Sequence, residues 1–160
     1  MLIFEKLDPK NHNRDDFSCG VPVLDTYLKK YASQNYRAGD STTHVLVDTE
    51  NPKKILGYIT LSTASLNLEQ VSIEDLRKFR RTPIAAIRVC RLAVSQSNQN
   101  QKFGSALLGY AVRKTLALRD TVGVRVLVVD AKDEQVSLFY QRFGFKATEN
   151  NPLVLYYILP

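Results

Sequence analysis

The sequence has only two cysteines, Cys19 and Cys90, and they are far apart. This spacing excludes a disulfide framework and does not match the ligand spacing of a zinc site. Nothing near Cys19 activates a thiol, so we expect it to pack as an inert side chain. Cys90 falls in an apolar run, where we expect a small buried hydrophobic residue. A reducing compartment fits this cysteine usage best.

Long apolar runs are also missing. The apolar stretches are far shorter than the roughly 18 residues that a membrane-spanning helix needs. The N-terminal segment has no signal-peptide pattern, and no repeat, low-complexity tract or linker stands out. We therefore expect a soluble cytoplasmic protein with one domain, residues 1–160, and no membrane partner.

The sequence has fewer acidic than basic residues. The 22 Lys and Arg residues outnumber the 16 Asp and Glu residues, which gives a net charge of +6. A basic protein favours anionic partners such as nucleic acid, nucleotide cofactors or phospholipid. Because 44% of the residues are hydrophobic, intrinsic disorder is excluded.

The first half of the sequence predicts strands in a meander with two helices. Pro22 suits the start of a helix, and apolar spacing extends this helix over 21–36, with Gly39 as its end. The pattern at Ser72 and Asp75 resembles a capping box and predicts a short helix over 73–79. Strands are expected at 1–7, 43–48 and 55–68, the last two as an antiparallel hairpin with its turn near Asn51.

The second half predicts a strand–helix–strand unit over 84–129, whose strands pair in parallel through a right-handed crossover. The strand at 84–94 leads through a polar loop into a helix over 104–119. The apolar run at 124–129 predicts a strand covered on both faces. A helix over 133–142, capped by Gly144, and a strand over 153–159 follow. The fold class is thus α/β or α+β with a mixed sheet. The expected apolar stripe of the first of these helices is Leu107, Leu108, Ala111, Thr115 and Leu118.

Four sequence blocks occur in a specific order: FSCG at 17–20, GYITLS at 57–62, RLAV at 91–94 and FYQRFGF at 139–145. In this order they resemble the GNAT superfamily of N-acetyltransferases. Among its members, the chain is most similar to the acetyltransferase toxins of bacterial toxin–antitoxin pairs. The resemblance implies a GNAT fold, in which a central mixed sheet with two splayed parallel strands is flanked by helices.

The resemblance also implies acetyl-CoA as cosubstrate and no metal. Acetyl-CoA would lie where the strands ending at Val94 and Val129 splay apart. The backbone of Leu92, Ala93 and Val94 would pair with the pantetheine arm. A helix N-terminus offers unpaired N–H groups to phosphate oxygens, so the preceding loop would hold the pyrophosphate. The residues of this loop are Gln99, Asn100, Gln101, Lys102, Phe103, Gly104 and Ser105.

Tyr140 is the catalytic candidate, since the resemblance places its hydroxyl near the thioester sulfur. A phenol is protonated at neutral pH and can donate its proton to the leaving thiolate. Taken alone, a tyrosine on the apolar face of a helix is more simply a core residue. Its place in the FYQRFGF block favours the functional interpretation.

The loop departs from the superfamily pattern at one informative position. Lys102 replaces the first glycine, and Asn100 and Gln101 stand where glycine and arginine are often found. Glycine lets a backbone approach a phosphate closely. Lys102 either obstructs this approach or supplies a charge contact in its place.

Basic residues suggest an RNA partner. The basic cluster at residues 77–81 is more simply a solvated face, but it can also contact RNA phosphates. Arg91 lies in an apolar strand, where a charge must be paired or must reach a ligand; Arg88 carries a weaker form of this argument. His12 and His44 show no partner pattern. The cluster comprises Arg77, Lys78, Arg80 and Arg81.

The leading hypothesis is a toxin that acetylates the amino group of aminoacyl-tRNA and blocks translation, with water as the proton acceptor. The resemblance further implies a small DNA-binding antitoxin and allows a homodimer. Two alternatives remain: an enzyme that acts on a small-molecule or protein amine, and a non-catalytic module that binds RNA or protein.

Overall fold

The computed structural model describes residues 1–80 and 82–160. Arg81, one of the predicted RNA-binding residues, lies outside the described residues. The strands are β1 (Leu2–Lys6), β2 (Thr42–Asp48), β3 (Gly57–Leu66), β4 (Ile84–Val94), β5 (Val126–Asp130), β6 (Lys146–Ala147) and β7 (Val154–Ile158). The helices are α1 (Pro22–Thr26), α2 (Ala32–Ala38), α3 (Ile73–Leu76), α4 (Phe103–Leu118) and α5 (Glu134–Phe143). A π-helical turn spans Tyr27–Tyr31, and 3₁₀ turns span Leu68–Gln70 and Gln96–Asn98.

The strands form a mixed sheet in the order β1-β2-β3-β4-β5-β7-β6. β4 and β5 are parallel, with Ala86 opposite Val126 and Val89 opposite Val129. The β1–β2, β2–β3, β5–β7 and β6–β7 pairs are antiparallel. The predicted fold class, hairpin and parallel strand–helix–strand unit are therefore confirmed.

The described chain forms two compact units. Unit one comprises Met1–Ser62 and Cys90–Ala111, and unit two comprises Thr63–Val89 and Val112–Pro160. The assignment of residues 1–160 to one domain stays a prediction. Among the described helices, none is both long and apolar enough to cross a bilayer.

Unit one is built around a cluster of buried apolar side chains from its helices and strands. The helix predicted over 21–36 is present, but the π-helical turn at Tyr27–Tyr31 interrupts it. Both Tyr27 and Leu28 are buried in this turn, and Gly39 ends α2 with a φ of 81°. The core cluster includes Leu7, Phe17, Cys19, Tyr27, Leu28, Val45, Val47, Tyr58 and Ala93.

Unit two has its own core beneath β4, β5 and β7. The four residues Val126, Leu127, Val128 and Val129 are all buried, as predicted for a strand covered on both faces. One position of the predicted α4 stripe is wrong: Leu118 is 36% exposed, because it is the last residue of the helix. The core cluster comprises Leu66, Val71, Phe79, Ile84, Ala86, Val126, Val128 and Tyr156.

A buried carboxylate replaces the capping box predicted in unit two. The Ser72 hydroxyl accepts the Asp75 N–H at 3.3 Å, as expected for a cap. The Asp75 carboxylate does not return this contact, because Lys78, Lys146 and Tyr156 donate to it at 2.8, 3.0 and 2.7 Å. The helix predicted over 73–79 is present and begins at Ile73, but it ends at Leu76, earlier than predicted.

The cysteines and histidines are only partly as predicted. Burial raises the pKa of the Cys19 thiol to about 11, which confirms an inert packed side chain. The expectation of full burial is wrong for Cys90, which is half-buried, and its thiol lies 3.1 Å from the Ser62 hydroxyl. Both histidines have partners: His12 contacts Glu5 and the Asp8 N–H, and His44 contacts Tyr110.

We expect Asp75→Asn to lower the free energy of unfolding by about 2–3 kcal/mol at pH 7, because hydrogen bonds to a charged group are lost. Burial opposes ionisation of Asp75, but the bonds from Lys78, Tyr156 and Lys146 outweigh it and lower its pKa. The stabilisation is therefore complete above the unfolded pKa of about 4 and is lost as pH falls through the lower folded pKa.

Urea denaturation at several pH values measures this effect. The difference between wild type and Asp75→Asn should begin to shrink below pH about 4. Glu74→Gln is the matched control, since Glu74 is an exposed acid on the same helix. An equal loss in Glu74→Gln would contradict the assignment.

Candidate active site

The end of β4 in unit one carries the residues predicted to hold the pantetheine arm. Ala93 is buried, whereas Leu92 and Val94 are half-buried. A Cβ atom at Gly57 would lie 3.0 Å from the Ala93 carbonyl oxygen and 3.0 Å from Leu107 Cδ1. This close approach explains why glycine stands at the start of β3. The GYITLS block contains this glycine, but the sequence alone did not indicate its neighbour.

The loop after β4 follows a path that usually requires glycine. Asn100 and Lys102 both have left-handed backbones, with φ values of 69° and 63°. Such a conformation costs a non-glycine residue about 1–2 kcal/mol. The Lys102 side chain is exposed, and the Ala106 N–H donates to its carbonyl at 3.1 Å, which begins α4. Lys102 therefore adopts a backbone conformation that favours glycine.

The first turn of α4 leaves backbone donors available. Among the described residues, no group accepts the N–H of Phe103, Gly104 or Ser105. Together with the helix dipole, such N–H groups form a binding site for phosphate oxygens. The exposed ammonium of Lys102 adds positive charge beside them. The loop thus combines backbone donors with a positive charge, a combination that favours phosphate oxygens. Its use for a pyrophosphate stays a prediction.

The side chain of Gln99 braces this loop, a role that the sequence did not reveal. Its amide nitrogen donates to the carbonyls of Cys19 at 3.0 Å and Val94 at 3.2 Å. Nearby, the Gln96 N–H donates to the Ser18 carbonyl at 2.8 Å. The FSCG block at 17–20 is therefore hydrogen-bonded to the predicted pyrophosphate loop. Its partners are backbone carbonyls, which leave no signal in the sequence.

Arg91 has a partner in unit one that is aromatic. Its guanidinium carbon lies 4.2 Å from the centroid of the Tyr27 ring, and one N–H donates to the Cys90 carbonyl at 3.2 Å. Among the described residues, no carboxylate pairs with it. We expected Arg91 to be paired or to reach a ligand. Its partner in unit one is the Tyr27 ring, and an acidic side chain does not pair with it in the described parts of the chain. Arg88 is different, because it pairs with Asp130 at 2.6 Å.

Tyr140 lies in unit two on α5. The Asp133 carboxylate caps the helix by accepting the Val136 N–H, and Gly144 ends the helix with a φ of 127°. The Tyr140 ring is buried between Phe139 and Phe145, at centroid distances of 5.2 and 5.4 Å. Its hydroxyl has no hydrogen-bond partner among the described residues. The ring is therefore a core aromatic, and the hydroxyl is not used by the fold.

Burial also sets the protonation state of this phenol. It raises the pKa of Tyr140 above its usual value of about 10. The phenol therefore keeps its proton throughout the neutral and weakly alkaline range. A protonated hydroxyl without a partner can act as a general acid.

The basic segment after α3 is exposed in unit two. Arg77 and Arg80 make no hydrogen bond or ion pair with a described residue, whereas Lys78 pairs with Asp75. In the described parts of the chain, no group of three His, Cys, Asp or Glu side chains could hold a metal ion.

A family comparison decides the type of protein. Residues 40–147 match the model of the acetyltransferase (GNAT) domain. The chain belongs to the GNAT acetyltransferase family. It is an N-acetyltransferase that uses acetyl-CoA, as the sequence analysis predicted. The residue assignments within the site stay predictions.

The acetyltransferase is similar to several toxins. It is 31% identical to a tRNA-acetylating toxin of Mycobacterium tuberculosis over 87% of this chain and 81% of the relative. A structure of a KacT variant superposes with a TM-score of 0.90 at 26% identity, covering 99% of this chain and 95% of that one.

A third relative, AtaT, shares the fold. AtaT complexed with acetyl-methionyl-tRNA has a TM-score of 0.90 at 24% identity, covering 99% of this chain and 95% of AtaT. Another AtaT structure holds the C-terminus of the antitoxin AtaR and acetyl-CoA. It has a TM-score of 0.80 at 23% identity, covering 99% of this chain and 93% of AtaT.

We expect wild-type acetyltransferase to bind acetyl-CoA at micromolar concentration and Lys102→Gly to bind it up to about fivefold more weakly, because one exposed charge contact is lost. Lys102→Gln is the matched control: it removes the charge but keeps a side chain, and it should weaken binding equally. Isothermal titration calorimetry gives all three affinities. Binding only by Lys102→Gly would mean that lysine disables the loop.

Proposed function

We propose that this acetyltransferase is a toxin that acetylates the amino group of aminoacyl-tRNA and so blocks translation. The observation that carries the proposal is the 31% identity with a tRNA-acetylating toxin over most of the chain. The net charge of +6 supports it, because RNA is an anionic partner. Arg77 and Arg80 support it further, because both are exposed and neither pairs with an acidic side chain among the described residues.

In this proposal, unit one supplies the binding groups for acetyl-CoA. The backbone of Leu92, Ala93 and Val94 holds the pantetheine arm. The loop and first turn of α4 hold the pyrophosphate through backbone N–H groups, with the Lys102 ammonium beside them. Within this loop, Gln99 contributes its backbone, since its amide nitrogen is already bonded to two carbonyls. The remaining loop residues are Asn100, Gln101, Phe103, Gly104 and Ser105.

Tyr140 supplies the proton. Acetyl-CoA, when bound, presents an acetyl thioester whose leaving group is a thiolate. The Tyr140 hydroxyl is proposed to donate its proton to the departing sulfur, which makes sulfur a better leaving group. Burial raises the pKa of Tyr140, so the phenol is protonated at neutral pH, which is the form that a general acid requires.

Removal of the proton from the acceptor amine falls to water in this proposal. Neither histidine is available as a base, since His12 is buried against Glu5 and the Asp8 N–H, and His44 is bonded to Tyr110. A chain of water molecules then carries the proton from the amine to solvent.

The basic residues are proposed to hold the RNA. Arg77, Lys78 and Arg80 offer an exposed cationic surface to backbone phosphates. Arg91, on β4, and Arg81, outside the described residues, are proposed as further contacts.

The proposed setting is the cytoplasm, where charged tRNA occurs, and the proposed partner is a small DNA-binding antitoxin. AtaT bound to the C-terminus of AtaR supports such a partner. A homodimer is also proposed.

A small-molecule or protein amine is the alternative acceptor. The non-catalytic alternative is rejected, because the chain belongs to the GNAT acetyltransferase family.

We expect Tyr140→Phe to reduce kcat for acetylation of charged tRNA by about 100- to 10,000-fold, the usual contribution of a general acid. The melting temperature and the affinity for acetyl-CoA should not change, because the hydroxyl makes no hydrogen bond in the fold. Radiolabelled acetyl transfer measures kcat.

Tyr157→Phe is the matched control, since Tyr157 belongs to the same aromatic cluster and packs on Phe143 and Phe145. It should retain full activity. Substantial activity in Tyr140→Phe would show that the proton comes from elsewhere.

We expect Arg80→Ala to weaken binding of deacylated tRNA and to lower the slope of log Kd against log salt concentration by about 1, since one phosphate contact is lost. Fluorescence anisotropy over a salt series measures both quantities. Arg142→Ala, an exposed arginine at the end of α5, is the control and should leave the slope unchanged. Equal slopes for wild type and Arg80→Ala would remove this segment from the RNA surface.

A further inference from the structure

Arg91 and Tyr27 meet on one face of β4. Side chains alternate along a strand, so Arg91 and Ala93 project to the same side. Ala93 packs into the unit one core together with Tyr27 and Leu28. Arg91 therefore lies on the face covered by α1 and the π-helical turn.

The Arg91 guanidinium is held but not neutralised. It lies over the Tyr27 ring at 4.2 Å and gives one N–H to the Cys90 carbonyl. Among the described residues, none supplies a carboxylate to it, although the side chain is half-buried. A partly desolvated cation without a counter-ion is unfavourable unless an anion completes its environment. The planar guanidinium stacks on an aromatic ring and still offers a fork of donors to a phosphate.

Tyr27 is itself fixed from several directions. Its hydroxyl accepts the Asn35 amide N–H at 3.1 Å and lies 3.2 Å from the Ser41 hydroxyl. Its ring stacks on Tyr58 at a centroid distance of 6.4 Å, and Tyr58 donates to the Leu24 carbonyl at 2.7 Å. The ring beneath Arg91 is thus held by contacts of its hydroxyl and by a stacked ring.

The π-helical turn is an independent observation. Tyr27 is its first residue. Such turns are uncommon and occur frequently at functional sites. The Arg91 guanidinium therefore rests on a ring that belongs to an unusual turn. Arg91 directly precedes Leu92, the first of the residues predicted to hold the pantetheine arm.

We propose that Tyr27 is a positioning residue, which holds the Arg91 guanidinium to receive a phosphodiester of the acceptor RNA. This inference rests on the proposed function and adds a basis for substrate choice. An aminoacyl-tRNA carries phosphodiesters close to its reactive amine, whereas a free amino acid carries none. The Tyr27–Arg91 pair then favours an amine that is attached to RNA.

The test compares Tyr27→Leu, which removes the ring, with Tyr27→Phe, which keeps it. Tyr27→Leu should raise KM for charged tRNA about tenfold, within the range of a cation–π contact that positions a charge. Tyr27→Phe should stay near wild type, and kcat and the affinity for acetyl-CoA should be unchanged in both. Arg91→Gln should reproduce the effect of Tyr27→Leu without altering the core.

Fluorescence anisotropy with deacylated tRNA gives a readout that does not depend on catalysis. Tyr27→Leu and Arg91→Gln should bind more weakly than wild type at low salt, and the difference should narrow at high salt.

Other outcomes would overturn the inference. Equal losses in Tyr27→Phe and Tyr27→Leu would show that the hydroxyl anchors the fold and that the ring does not position Arg91. Unchanged KM and RNA affinity in Arg91→Gln would remove the phosphodiester contact while leaving the proposed function intact. A wild-type enzyme that does not acetylate charged tRNA would reject the proposed function, and the inference with it.

Discussion

The hydrogen bonds of the Gln99 side chain hold together the part of unit one on which the site depends. The amide nitrogen joins the carbonyl of Val94, at the end of β4, to that of Cys19 in the N-terminal segment. Asn100 and Lys102, which come shortly after Gln99, have left-handed backbones. Such backbones persist only where surrounding contacts hold them. The available N–H groups of α4 then begin where this braced loop ends. The backbone proposed to hold a diphosphate is thus supported by a side chain whose amide nitrogen is already bonded to two carbonyls.

Local patterns predicted most of the fold. The β-branched runs of β2, β4 and β5 and the apolar spacing of α4 and α5 depend on near neighbours, which a sequence displays directly. The errors arise where a distant residue intervenes. Asp75 does not complete a capping box, because its carboxylate bonds to Tyr156, which is 81 positions away. The π-helical turn was likewise not predicted, and both Tyr27 and Leu28 are buried in it.

In the candidate site, too, some residues were indicated by local sequence patterns and others were not. Tyr140 and the loop after β4 were indicated by sequence blocks with a fixed order. The Gln99 brace and the support of Arg91 by Tyr27 were not, because a backbone carbonyl and a ring contact between distant segments leave no spacing pattern. The sequence therefore indicated candidate reacting and binding groups, whereas the contacts that hold these groups became visible only in the structure.

At Lys102 the residue type and the path of the backbone give different impressions of the loop. A residue with a side chain occupies the left-handed position and leaves the following N–H groups in place. A search written in letters, with glycine required at this position, would reject the chain. A search written in dihedral angles would accept it. Comparison of such loops between acetyltransferases therefore has to include the backbone dihedral angles as well as the residue types.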